Sequence, residues 1–480
     1  MKNIIITIIS IFLFAGCSTD FIDLIPKSTA TVADVYQTDK DFQDAVIGCF
    51  NQIRSMYNSN LWIYDIASDD IVHGWTSENV RLRLDRYTHT SNDDHFATTW
   101  NNGYSLIYRV NYILEEIEDK DETVVINKQR HIGEAKFLRG LVYFNLVRIF
   151  GNIPLITRVV TDSEALEMGR EPVSRIYAQI IEDLIDAGNR LPTSYTGPDV
   201  GRPTKGAAKS ILGRVYLTNK QFTEAETVLR EVTGMGYALL PNFNDLWDYS
   251  KDEHHSEYIF DVEFEAGTSP QMGSSFTTEF APQDAAILNF YGIIGSAGNT
   301  NNPSEEAYNL FEDSDLRKDV SVNKGYTDND GVYHEIVAGY GSAIFTRKYF
   351  HRLSRNSDSP ANWKVIRYAD VLLMLAEVMN ENSKTEEAFS YINQVRRRAG
   401  MPDYSGLSKD DLREAIYLER RLELICEGHR WFDLCRTGRA MQACGPLNMK
   451  PHMVLFPIPL SQMRVMNNTT IFPQNEGWTY

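Results

Sequence analysis

Two pairs of adjacent carboxylates, Asp69-Asp70 and Asp93-Asp94, are the residues whose types first suggest chemistry. Cutting a glycosidic bond needs two carboxyl groups facing each other, about 5 Å apart for retention or up to about 9.5 Å for inversion. Adjacency in sequence fixes neither spacing nor orientation, and among 65 acidic residues such pairs arise by chance. No Gly-x-Ser-x-Gly elbow, phosphate-binding loop or His-Glu-x-x-His is present. Asp328-Asn329-Asp330-Gly331 shares part of a calcium-loop pattern but lacks its closing glutamate, and Asp-Gly suits a hairpin turn that needs positive φ. No His or Cys cluster stands at ligand spacing. The expectation is therefore no catalytic residue, no metal and no cofactor.

The remaining signal is aromatic. A sugar offers a face of C–H groups that stacks on an indole or phenol ring, and a rim of hydroxyls that pair with carboxylate, amide and guanidinium groups. The stretch from Tyr57 to Asn102 holds Trp62, Tyr64, Trp75, Tyr87 and Trp100 among Asp69, Asp70, Arg81, Arg83, Asp93 and Asp94. A second stretch, Phe276 to Asn302, carries Phe290 and Tyr291. Helical periodicity lapses over Tyr57 to Thr99 and in the second stretch, which removes the easiest reason for so many large rings. The expected ligand surface lies where the two meet, with Trp75, Trp100 and Tyr291 as stacking platforms and Asp70, Arg81 and Asn101 as hydroxyl partners. Trp100 leads, because it stands just before Asn101 and Asn102 on a helix that would hold its ring in place. For each of Trp62, Trp75 and Trp100 the sequence leaves burial open beside ligand contact. Trp247, Trp363, Trp431 and Trp478 read as core.

The elements that position these residues are mainly α-helical. Apolar residues at three- and four-residue steps begin with Phe42, Val46, Cys49 and Ile53, resume at Leu106, Val110 and Ile113, and cover several sides of Ala135 to Phe150, which should be a central helix. Leu212, Gly213 and Tyr216 followed by Ala225 and Leu229 approach the tetratricopeptide hairpin spacing, and Leu375, Ala376, Ala388 and Ile392 repeat it. Three cations, Arg396 to Arg398, precede Gly400 as at a helix C-terminus, and a further helix runs from Lys409 to Gly428. Helical scaffold is expected over about 39–257 and 361–445, with an irregular loop and short-strand insertion over about 258–360 carrying the ligand surface. The proline- and asparagine-rich tail, 446–480, should wrap the scaffold without a helix of its own.

The formal charge of −18 excludes a phosphate-backbone partner, since nucleic acid calls for a basic stripe and none exists. Lys2 precedes an apolar run from Ile4 to Phe14, short of the ~20 residues that cross a bilayer as a helix. Phe14-Ala15-Gly16-Cys17 resembles a bacterial lipobox, although Phe14 replaces the usual leucine. Residues 1–16 then form a signal peptide, and acyl chains on Cys17 anchor the chain to a membrane without spanning it. The alternative is an ordinary secretory signal with an incidental cysteine. Cys49, Cys426, Cys435 and Cys444 form no CxxC pair and suit buried thiols, with one disulfide left open.

Several longer motifs carry a family resemblance. They are Arg367-Tyr-Ala-Asp-Val-Leu-Leu-Met-Leu-Ala-Glu377, Ile392-Asn-Gln-Val-Arg396 with Arg398-Ala-Gly400, and Glu419-Arg-Arg421 leading to Glu427-Gly-His-Arg-Trp-Phe-Asp-Leu434. Glu134-Ala-Lys-Phe-Leu-Arg-Gly140, Gly151-Asn-Ile-Pro-Leu155, Pro457-Ile-Pro459 and Gln474-Asn-Glu-Gly-Trp478 follow the same pattern in the same order. Together they resemble the SusD/RagB family of Bacteroidetes outer-membrane nutrient-binding lipoproteins. That resemblance implies one domain over 17–480 on tetratricopeptide-like hairpins, and a surface-exposed glycan-binding lipoprotein without enzymatic activity. It also implies a SusC-type TonB-dependent transporter as partner. The competing class is a helical-repeat adaptor for protein or peptide.

Overall fold

The structure, a computed structural model, describes residues 35–74, 79–251, 254–337 and 343–479. Helix α1 (Asp39–Met56) starts at a capping box in which the Thr38 and Asp41 side chains each accept from the other's backbone N–H. A π turn (Tyr57–Leu61) and a 3-10 turn (Trp62–Ala67) then lead to the two-residue strand β1 (Ile71–Val72). Asn79 caps the short α2 (Val80–Asp85), and α3 (Asp94–Glu118) and α4 (Lys128–Phe150) follow. Nearly every residue of α4 from Glu134 onward is buried, as its all-round apolar pattern requires. Next come α5 (Val173–Arg190), α6 (Lys205–Thr218) and α7 (Phe222–Thr233).

Strand β2 (Tyr258–Val262) opens a long excursion that contains α8 (Phe276–Phe280), α9 (Ala285–Tyr291), β3 (Asn302–Pro303), and the hairpin of β4 (Gly325–Thr327) and β5 (Tyr333–Glu335). Strand β6 (Trp363–Arg367) closes it by pairing antiparallel with β2, Tyr258 opposite Arg367 and Val262 opposite Trp363. The chain then returns to helices α10 (Tyr368–Glu381), α11 (Thr385–Arg398), α12 (Lys409–Leu424) and α13 (Arg430–Arg436).

The scaffold is a row of antiparallel helices. In order, α3 packs on α4, α4 on α5, α5 on α6, α6 on α7, α7 on α10, and α10 on both α11 and α12. The two hairpins read from sequence are α6–α7 and α10–α11. In the first, a Cβ built on Gly213 would stand 2.4 Å from Leu229 Cδ2, so only glycine allows these helices their approach. This is the tetratricopeptide-like arrangement that the spacing predicts.

Three expectations change. The tail does form a helix, α14 (Leu460–Met466), a glycine- and proline-free run that starts directly after Pro459. Helix α12 stops at Leu424 and not at Gly428, because Cys426 and Gly428 take positive φ. The broken turn frees the Glu423 and Ile425 carbonyls, which accept from Lys348 Nζ at 3.1 and 2.9 Å. The Tyr57 to Thr99 stretch is not irregular throughout, since it contains α2 and the first turns of α3, and its Trp62, Tyr64, Tyr87 and Phe96 join the main core.

What ties the excursion to the scaffold is charge. Arg317 donates to Glu419 at 2.7 Å and Glu423 at 3.0 Å, and pairs with Asp315. Arg367 bridges Glu257, Glu423 and Glu427, Lys348 takes Glu427 at 2.7 Å, Arg398 takes Glu257 and Glu423, and Arg396 takes Glu419 at 2.8 Å. All ten groups are buried. Five cations meet five carboxylates, so the cluster is neutral, which burial in a low-dielectric interior demands. The Glu419 to Glu427 charges of the sequence motif therefore face inward.

Candidate functional site

The two ring-bearing irregular stretches do meet. Ile71 and Val72 of β1 pair with Pro303 and Asn302 of β3, and the Ser304 N–H donates to Asp70 O at 2.7 Å. Beyond this ladder, Gly74 N–H donates to Asn299 O at 3.0 Å and Asn299 Nδ2 returns a bond to Gly74 O at 3.1 Å. A Cβ on Gly74 would come within 2.2 Å of the Asn299 side chain, and Asn299 itself sits at φ 49°. Asn tolerates that left-handed conformation better than most residues. At the start of α2, Asn79 Oδ1 accepts from Leu82 N–H at 3.0 Å. Trp75, between these two anchors, lies outside the described residues. Arg81 crosses the seam: its Nη1 donates to Glu279 Oε2 at 2.8 Å and its guanidinium lies 5.1 Å from the Trp62 ring centre. Both members of this pair keep partial exposure. Below the seam, burial and the nearby Arg81 push His73 down to about 4. Burial pushes Asp85 up to about 6, against a backbone bond from His73 and the charge of Arg86.

Tyr291 closes α9 on the same unit, packed on the small cluster of Ala281, Ile293, Ala297 and Leu353. Its hydroxyl accepts from Arg347 Nη1 at 3.1 Å. Beside it, Phe290 packs on Tyr326 (centroids 4.4 Å apart, 32° between planes), and Tyr326 stacks on His334 (4.9 Å, 18°). Phe290 and Tyr326 are half-buried and His334 is exposed, so the three rings form a ladder that ends in solvent. Asp328 fixes its outer rung, with Oδ2 2.6 Å from His334 Nε2. The same Asp328 carboxylate accepts from the Asp330 and Val332 N–H groups, which identifies Asp328 to Gly331 as the hairpin turn. Tyr326 and His334 are not among the residues picked from sequence. The Asp-Gly turn holds the signal, since closing a hairpin there places Tyr326 directly opposite His334.

The other expected site residues lie elsewhere. Trp100 is 4% exposed and wedged against Tyr104, Phe150 and Phe472, so it has no free face to offer a sugar. Asp70 is fully buried against Arg421, with Arg430 at 3.8 Å, and Asp69 takes Arg430 at 2.7 Å. An isolated carboxylate could not be buried so deeply, and these two are charge partners of α12 and α13. Asn101 is exposed and bonded to Gln462 of α14 at 2.9 Å, far in the chain from the ladder. Arg81 and Tyr291 are therefore the two described residues of the expected set whose side chains border the seam and its aromatic unit, Asp70 joining it only through its backbone carbonyl.

Larger hollows exist away from the rings. One of about 980 Å³ runs between α1, residues 198–202 and β2, with exposed aliphatic groups at Ile47, Val200 and Met272. Another of about 780 Å³ lies behind β1 and β3 beside Asp69, Asp85 and Arg86. The ladder is preferred as the ligand surface because volume alone recognises nothing, whereas uncovered ring faces do. Among the described residues no helix is long and apolar enough to cross a membrane, and Cys49, Cys426, Cys435 and Cys444 are free thiols.

Comparison with known proteins matches residues 341–478 to a family described as "SusD family" and residues 20–217 to one described as "Starch-binding associating with outer membrane". The chain belongs to the SusD/RagB family. A SusD-like protein of Formosa agariphila is 27% identical, with 97% of each chain covered. The starch-binding protein SusD of Bacteroides thetaiotaomicron is 23% identical over 42% of this chain and 36% of its own. A solved structure titled "Laminarin binding SusD-like protein" superposes with a TM-score of 0.81 at 28% identity, covering 92% of this chain and all of that one. The SusD/RagB motif residues from α10 to α13 hold the scaffold as ion-pair partners, Asp370, Glu419, Glu423 and Glu427 buried and Asp433 half-buried.

Proposed function

We propose that this protein binds a glycan at the cell surface and passes it to a SusC-type TonB-dependent transporter, held to the outer membrane by lipid on Cys17. The observation that carries the reading is the ladder of Phe290, Tyr326 and His334 ending in solvent beside Tyr291. Stacked rings suit the C–H face of a pyranose, and Arg81, Glu279 and Asp328 supply polar groups around them. Relatives named for laminarin and for starch support a glycan as the ligand class. The protein acts by binding alone: the Asp69 and Asp70 carboxylates are engaged by arginines, which leaves that pair no freedom to flank a scissile bond. Cys17 lies outside the described residues, so the anchor rests on the lipobox resemblance.

The open groove beside α1, with its exposed Ile47, Val200 and Met272, favours the second reading of a peptide-binding adaptor. Titration calorimetry separates the two. A panel opening with laminarin and starch oligosaccharides should yield one saturable glycan, and Phe290→Ala or Tyr326→Ala should weaken it by about ten- to hundredfold, as loss of a hot-spot ring does. Binding of apolar peptides with no response to any glycan would replace the first reading by the second.

A further inference from the structure

The scaffold holds a second site of different chemistry. A cavity of about 40 Å³ lies among the π turn after α1, α4, α6, β6 and the turn before α13. Its polar lining comes from Tyr57, Asn145, Arg148, Arg214, Glu427 and His429, and Phe432 forms one wall; the Glu427 carboxylate is already taken by Lys348 and Arg367. It is too small for a sugar ring but has room for two or three water-sized particles. Gly428, His429 and Phe432 at its edge keep partial exposure, so it can exchange with solvent.

The charge around it does not balance. Arg214 and Arg420 share Asp370, Arg420 and Arg436 share Asp433, and Arg436 also holds Glu377. Arg148 stands next to this group, close enough for Arg214 and Asp433 to act on it electrostatically. Four guanidiniums thus meet three carboxylates, and Arg148 is the cation left over. Among the described residues no carboxylate pairs with it. Its Nε donates to Phe144 O at 3.1 Å and its Nη2 to Asn145 Oδ1 at 2.6 Å. The rings of Phe144 and Phe432 sandwich it at 4.0 Å each, which attracts a cation but supplies no net negative charge. Arg148 is half-buried and its Nη1 makes no hydrogen bond among the described residues, whereas Nε of Arg214 is buried without a partner. Burial and Arg214 push Arg148 down only to about 10, so it stays charged at neutral pH. Burial and Arg214 also push His429 down to about 4, which leaves it neutral there. The neighbouring cluster around Glu423 is balanced and has no carboxylate to spare.

We infer that this cavity is a small-anion site, occupied by a monovalent inorganic anion of halide size held by Arg148 Nη1 and Arg214 Nε. The Tyr57 hydroxyl adds a third donor, because its oxygen already accepts from Asn145 Nδ2 at 3.3 Å and its proton remains available. Such an ion closes the charge of the motif helices and ties α13 to α4.

Bromide is the probe. Crystals of the protein soaked in sodium bromide and measured at the bromine edge should show an anomalous peak beside Arg148 Nη1. In solution, the melting temperature should rise saturably with sodium bromide relative to sodium gluconate at equal ionic strength, as linkage to the folded state requires. Arg148→Met should abolish that response. Tyr57→Phe preserves the cavity walls and should raise the half-saturating bromide concentration about tenfold, the loss expected for one hydrogen bond to an ion. It carries the comparison if Arg148→Met does not fold. A cavity without an anomalous peak, or a bromide response that is absent in the wild type or undiminished in Tyr57→Phe, overturns the inference.

Discussion

Replacing Trp100 by alanine distinguishes a scaffold ring from a ligand platform. The indole is 4% exposed and lies at 5.0 Å from Tyr104, 5.2 Å from Phe150 and 5.9 Å from Phe472, the last two edge-to-face. Truncating a buried tryptophan costs about 3–5 kcal/mol, of which each lost ring pair accounts for about 0.5–1.5. The site cannot collapse easily, because Phe472 belongs to a tail strapped down separately through Arg170 N–H to Ile471 O at 2.9 Å. A value near the upper end is therefore expected. With a urea dependence of about 3 kcal/mol per molar for a chain of this length, the unfolding midpoint should fall by about 1 to 1.7 M. Circular dichroism in urea reads that shift, and calorimetry well below the transition reads glycan affinity, which should stay within about twofold, since Trp100 has no exposed face. An unmoved midpoint together with lost glycan binding would refute the burial argument and restore Trp100 as a platform.

Glu423→Gln keeps the shape but removes the charge shared by Arg317, Arg367 and Arg398, so it should cost about 3–5 kcal/mol in urea unfolding, whereas Glu387→Gln at the exposed pair with Arg230 should cost under ~1. Burial raises the Glu423 carboxyl, yet Arg398, Arg367 and Arg317 outweigh it and hold the group below the usual range. Its stabilisation is thus present above the unfolded value and lost only as pH falls through the depressed folded one. Histidines titrate earlier. Burial pushes His73, His89 and His429 down to about 4 and His95 to about 3, so each stays neutral in the fold and its stabilisation, complete above pH ~6.5, declines as pH falls. Asp65 and Asp85, pushed up by burial to about 7 and about 6, keep a proton in the fold and act in the opposite sense below those values. His89→Phe should therefore flatten the pH dependence of the urea midpoint between 6.5 and 4 by up to about 1.4 kcal/mol per unit. Gly213→Val should destabilise by about 1–3 kcal/mol through its clash with Leu229, while Gly48→Ala, whose added methyl meets nothing within 4 Å, should stabilise α1 by about 0.5–1. Cys17→Ala should release the protein from the membrane fraction, and retention there with an uncleaved signal would remove the lipobox proposal.

Periodicity carried the helices, because burial of one face leaves a 3.6-residue imprint wherever the backbone is regular. It gave no guidance where the backbone is not: the π and 3-10 turns of Tyr57 to Ala67 have no such imprint, yet Trp62 and Tyr64 are as buried as any helical residue. The charges of α12 were illegible for another reason. Glu419, Arg420 and Glu423 read like a solvated face, and their respective counter-charges Arg317, Asp370 and Arg367 lie far away in the chain. Asp70 likewise meets Arg421 across 351 residues. The meeting of the two irregular stretches is legible in the sequence, but the rings that face solvent there belong to a hairpin whose Asp-Gly turn shows in the sequence while the pairing of Tyr326 with His334 does not.

Because β2 and β6 lie side by side, the hundred residues between Val262 and Trp363 leave the scaffold and return to it through a single ladder. Closing a loop of that size costs free energy that grows only with the logarithm of its length, so a fifth more chain would add about 0.2 kcal/mol. Length polymorphism in the excursion is thus nearly free for the helical row beneath it. What an inserted or swapped excursion must keep is small: the register of five residues at each strand, the pairing of β3 with β1, and the three buried charges, Asp315, Arg317 and Lys348, that leave the cluster at α12 and the turn behind it neutral. Grafting this segment between relatives should succeed or fail on those three side chains more than on anything in its outer loops.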